Sequence, residues 1–126
     1  MESRQREREE ITDYMKTLSE KEDEIDSVQR RFQRDEEEEE IEIRHALVRL
    51  EEIQEGCSAN DFKVQQLIDE QRELLNKIQS DKYDFADEFA RRVAEERQKI
   101  DAEREELKWR LYEIDTQDKE EESKGQ

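Results

Sequence analysis

Residues 56–61, Gly56-Cys57-Ser58-Ala59-Asn60-Asp61, decide how this chain folds, because in 126 residues they are the one stretch chemically equipped to reverse the backbone. Gly56 is one of two glycines, and a helix C-terminus commonly places glycine where the backbone turns left-handed. Ser58, Asn60 and Asp61 follow as N-cap candidates, since their short side chains can accept hydrogen bonds from the first free N–H groups of a new helix. We read two long helices folded back at about Ala59. Cys57, the lone cysteine, excludes an intramolecular disulfide and is read as a small residue of the tip.

Outward from the tip, composition favours helix on both sides. The chain has no proline, half of its residues are charged, and Glu, Arg, Gln, Lys and Leu are strong helix formers. Apolar residues make up 30%, spread in stripes, so burial follows a line and not a compact core.

The stripes have coiled-coil spacing. In the first arm Ile11, Leu18, Ile25 and Phe32 recur every seven residues, and Ile43 and Leu50 resume the pattern beyond six consecutive acids, Asp35 to Glu40. In the second arm Val64, Leu67, Ile68, Leu74, Leu75 and Ile78 are read as one side. A denser group follows, Tyr83, Phe85, Ala86, Phe89, Ala90 and Val93, and the pattern then settles to seven-residue steps at Val93, Ile100, Leu107 and Ile114.

A fold at Ala59 pairs residues whose numbers sum to about 118, so Ile11 meets Leu107, Leu18 meets Ile100, Ile25 meets Val93, Phe32 meets Ala86, Ile43 meets Leu75 and Leu50 meets Ile68. Both arms skip eleven residues at the same height, Phe32 to Ile43 and Leu75 to Ala86, a matched stutter. The same register sets Lys82 against Glu36, Lys21 against Arg97 and Tyr14 against Arg104.

The expected fold is therefore all-α, a long antiparallel two-helix coiled-coil hairpin over 1–118. Helix 1 covers about 4–55, the tip 56–61 and helix 2 about 62–116, with a disordered polar tail over 117–126. The acid block is read as a solvated helical face, with a hinge or a docking site for a basic partner as alternatives.

Function classes narrow accordingly. A net charge of −17, with basic residues interleaved among acids, opposes binding to nucleic acid or anionic membranes. MESRQREREE has no apolar segment of signal-peptide type, and no run approaches a membrane span, so we expect a cytoplasmic protein, export alongside a client being left open.

Glu42 and His45 have the i, i+3 spacing of di-iron bundle ligands, but His45 is the sole histidine, and an exposed helical histidine is the simpler account. We expect no catalytic, cofactor-binding or metal residues. Phe85, Phe89, Trp109 and Tyr112 exceed what one narrow seam can bury, which marks them as candidates for binding a partner helix, from another protein or from a second copy. Tyr83 and Asp87 match Y-x-x-x-[DE], although mid-helix packing explains them equally.

The stretch AEERQKIDAEREELKWRLYEID, Ala94 to Asp115, with its charged heptads ending in Leu111 and Tyr112, resembles the C-terminal helix of the LXG-toxin-associated helical (Lap-type) accessory proteins of Gram-positive type VII secretion. The resemblance implies a targeting chaperone that binds the helical N-terminal domain of an LXG-type toxin beside a second small helical protein. Relatives of the W-x-G type carry W-x-G between their helices, where this chain has Gln54, Glu55 and Gly56. They place Y-x-x-x-[DE] after the second helix, and here Tyr83 and Asp87 lie within it. Both departures fit an adaptor that borrows its client's signal. The alternative class is a homodimeric structural spacer or stalk in a secretion or motility complex.

Overall fold

The computed structural model describes residues 2–125 and contains two helices, α1 (Glu2–Glu55) and α2 (Phe62–Lys124), packed against each other as an all-α hairpin. No strand occurs among the described residues, and none of their helices is long and apolar enough to cross a membrane.

The reversal at 56–61 is built from local hydrogen bonds. Gly56 N–H still donates to Glu52 O at 3.2 Å, and Cys57 N–H then donates to Gln54 O at 3.2 Å, so the end of α1 tightens from i−4 to i−3 pairing. Asn60 N–H donates to Ser58 Oγ and Asp61 N–H to Ser58 O, which closes the turn. Asp61 O accepts from Gln65 N–H, the first bond of α2, which makes Asp61 the N-cap residue.

One expectation is corrected here. Gly56 does not adopt left-handed angles, because tightening of the last turn already redirects the chain. A Cβ at Gly56 would meet Glu52 O at 3.6 Å and Ile53 O at 3.7 Å, ordinary contact distances.

The hairpin divides into two compact units, each with a segment of both helices. The terminus-bearing unit comprises Met1–Val28 and Arg92–Gln126, and the tip-bearing unit comprises Gln29–Arg91. In the former, Ile11, Leu18, Ile100 and Ile114 are buried, with Met15, Ile25, Val93, Leu107 and Leu111 half-buried beside them. In the latter, Ile43 and Ile68 are buried, and Phe32, Leu47, Leu50, Val64, Leu75, Ala86 and Phe89 are half-buried. No polar or charged residue is buried among the described residues, and no buried side-chain nitrogen or oxygen lacks a partner.

One further expectation changes. The segment from Gln117 is not a fraying tail: α2 runs through Lys124, because Arg4 reaches Asp118 at 2.9 Å and Glu121 at 2.5 Å, and Arg8 also bonds Asp118. In the polar layers Arg97 pairs with Asp26 and Arg104 with Glu22, while Tyr14 O–H donates to Glu103, so acidic partners meet both cations.

Gly56→Ala should stabilise the protein by about 0.4–1 kcal/mol by restricting the unfolded chain, read as a rise in the urea midpoint. A loss of stability would instead show that the position needs glycine. Leu18, whose relative exposure is 0%, should cost about 2–5 kcal/mol when cut to alanine. Val48→Ala, at a position 48% exposed, should stay within about 0.5 kcal/mol.

Candidate functional site

All twelve seam positions, Ile11, Leu18, Ile25, Phe32, Ile43, Leu50, Ile68, Leu75, Ala86, Val93, Ile100 and Leu107, are buried or half-buried. What they leave uncovered forms the candidate site. Exposed large apolar side chains occur on both helices, Tyr14, Val28, Ile41, Val48 and Ile53 on α1 among them, and on α2 they cluster in two places, one in each unit.

In the terminus-bearing unit, Trp109 and Tyr112 sit one turn apart on α2 and pack edge to face, with ring centroids 5.9 Å apart. They are 65% and 64% exposed, and with Glu105 and Lys108 they line a shallow depression of about 350 Å³. The i, i+3 spacing puts both rings on one helix face, and the buried residues Ile100 and Ile114 occupy another.

In the tip-bearing unit, the run of apolar residues on α2 splits into two stripes. Ile68 and Leu75 turn inward, while Leu67, Leu74 and Ile78 are exposed, contrary to the single side expected. An apolar run this dense wraps too far around a helix for one seam to cover it. Leu67, Leu74, Ile78 and Phe85 follow one another by seven, four and seven residues, so at 3.6 residues per turn they fall within about 20° of a single line. Periodicity could have separated this stripe from the seam, had exposed and buried heptads been phased apart.

The partner candidates do not share one fate. Phe89 stacks on Phe32 at 4.2 Å with rings 20° apart, and is half-buried, so the hairpin takes it up. Phe85 lies 5.7 Å from Phe32 and stays 60% exposed. Trp109 and Tyr112 belong to the other unit. Tyr83 and Asp87 are both exposed, and Tyr83 O–H lies 3.3 Å from Gln79 Nε2, which donates to it.

Beside Phe85 a groove of about 530 Å³ opens, lined by Phe32, Ile78 and Phe85, by Asp35, Glu36, Glu39 and Asp81, and by Lys82. Its origin lies in the sequence. Between Phe32 and Ile43 the α1 seam has no large apolar residue facing α2, because the acid block occupies the intervening turns. Lys82 fills part of the gap: its ammonium donates to Glu36 O at 3.2 Å and pairs with Glu39 at 3.5 Å. Its alkyl stem thereby covers apolar surface while its charge meets the acids. Helix α1 continues unbroken through Asp35 to Glu40.

Glu42 and His45 are exposed on α1, and no group of three or more potential metal ligands occurs among the described residues. Cys57 is half-buried in the tip with a free thiol.

Ionic flanks line the seam near the termini. Arg110 bonds both carboxylate oxygens of Glu7, and Arg4 and Arg8 converge on Asp118. Hydrogen bonds from Arg110 hold the Glu7 carboxyl below its usual value, and those from Arg4 and Arg8 do the same for Asp118. The Tyr14 hydroxyl, donating to Glu103 at 2.8 Å, is pushed upward because the carboxylate disfavours loss of its proton. These groups are solvent-facing, so each pair contributes modestly.

Comparison with protein-family models, curated proteins and solved structures returns no match for this chain.

A carboxyl held below its ordinary value in the folded state adds stability above its unfolded value near 4, and loses it as pH falls through the lowered one. Asp118→Asn should therefore lower the melting temperature at neutral pH, and the gap to the parent should close as acidity increases below about pH 4. An equal gap at both ends of the titration would remove the charge of Asp118 from the account.

Proposed function

We propose that this chain is a non-enzymatic helical adaptor that holds a helical client protein against its uncovered apolar faces. The single observation that carries this reading is the Trp109–Tyr112 pair. Two large rings, packed on each other and about two-thirds exposed, sit beside a seam that is already filled. Aromatic side chains of this kind are the residues most often found at the energetic centres of protein interfaces. The chemistry of the rest of the surface fits the same role, since charged side chains keep an extended helical surface in water until a partner covers its apolar part.

The finer proposal follows the resemblance of Ala94 to Asp115. The client is the helical N-terminal domain of an LXG-type toxin of the type VII pathway, bound beside a second small helical protein. The chain then acts as a targeting chaperone in the cytoplasm and leaves it, if at all, with the client.

A homodimeric spacer is the competing reading, because a second copy could cover the same rings. A charge of −17 on each copy opposes that association.

Co-expression with an LXG-type toxin domain encoded beside it should give a stoichiometric complex by size-exclusion chromatography with light scattering. In that complex Trp109→Ala with Tyr112→Ala should weaken affinity by about tenfold or more. A client-independent dimer, disrupted by the same pair of substitutions, would instead establish the spacer.

A further inference from the structure

We propose that the groove beside Phe85, with the stripe Leu67, Leu74 and Ile78 that leads into it, receives an amphipathic helix of another protein whose apolar side is flanked by lysine and arginine. The proposal rests on the adaptor reading and gives the apolar face of the tip-bearing unit a helical occupant of stated charge.

The geometry selects a helix. Leu67, Leu74, Ile78 and Phe85 form one line along α2 with coiled-coil spacing, and all four are exposed. Such a line is the half of a knobs-into-holes interface that a second helix completes. The tip-bearing unit offers no sheet edge, so an extended peptide has no unpaired backbone groups to join. Ile78 and Phe85, seven residues apart, are separated by about 10 Å along the axis, two turns of a facing helix.

Charge selects the flanks of that helix. Of the charged groups lining the groove, Asp35, Glu36, Glu39 and Asp81 are carboxylates and only Lys82 is a cation. The Lys82 ammonium is already engaged by Glu36 O and Glu39. An incoming helix therefore meets an apolar floor with an acidic wall, and lysine or arginine beside its apolar side chains complements both. A second copy of this chain would bring the same acids and its own charge of −17 to the contact, which disfavours it as occupant.

The sequence explains why the site lies here. The acid block interrupts the α1 seam after Phe32, which both opens the groove and charges its wall. One feature thus supplies the vacancy and the selectivity.

The test uses the full chain and three synthetic helical peptides of about 20 residues, long enough to span the stripe. One carries leucine at heptad positions flanked by lysine and arginine, one has the same leucines flanked by glutamate, and one has the basic composition with its leucines scrambled. Fluorescence anisotropy should show binding of the first at least about tenfold tighter than of either other peptide, and that binding should weaken with added salt.

Phe85→Ala and, separately, Leu74→Ala should each reduce it several-fold with helicity unchanged by circular dichroism, since both side chains are largely exposed. Asp35→Asn with Glu36→Gln and Asp81→Asn should erase the preference for basic flanks. Equal binding of the scrambled peptide would reduce the effect to net charge and overturn the proposal. So would a dimer of the free chain that shields Phe85. If a co-expressed client complex survives Phe85→Ala and Leu74→Ala together, the groove assignment fails while the adaptor reading stands; if no client complex forms at all, the adaptor reading fails first.

Discussion

A single line of aliphatic contact between α1 and α2 holds this protein together. With half of the residues charged and 30% apolar, the chain cannot assemble a core in three dimensions, so its hydrophobic stabilisation is spread along the seam. Leu18 and Ile114 are its most completely enclosed side chains, and Ile11, Ile43, Ile68 and Ile100 follow. Burying such a side chain contributes about 1.5–3 kcal/mol, whereas an exposed ion pair contributes about 0–1. The numerous ion pairs therefore cannot substitute for the seam. Their role is to select which residues face each other, as Arg97 does with Asp26 and Arg110 with Glu7.

That division of labour has a cost at one place. Where six acids follow Phe32, the Phe32–Phe89 stack and Lys82 join the helices in place of an aliphatic seam. The same interruption leaves Phe85 and Ile78 without cover. Weak internal packing and strong potential for external packing are thus two results of one substitution of charge for hydrocarbon, and this is where fold and function meet in the chain.

Heptads made the hairpin legible because their period is a local property: Ile11, Leu18, Ile25 and Phe32 mark a helix face wherever the chain ends up. The reversal was legible because glycine and capping residues concentrate at 56–61. What could not be read depends on contacts between distant residues. Helix beyond Gln117 is held by Arg4 and Arg8 from the opposite end of the sequence. Phe89 looked like surplus until its ring met Phe32. The exposed stripe Leu67, Leu74 and Ile78 was hidden among inward-facing neighbours, since adjacent leucines at 74 and 75 report hydrophobicity without reporting direction. Gly56 followed a common preference that the tightened last turn of α1 made unnecessary.

The unequal enclosure of the two units also bears on motion. The terminus-bearing unit encloses four aliphatic side chains, and the tip-bearing unit encloses Ile43 and Ile68. Local opening costs free energy in proportion to the packing it disrupts, so backbone amides around the tip should exchange with solvent deuterium sooner than those near Leu18 and Ile100.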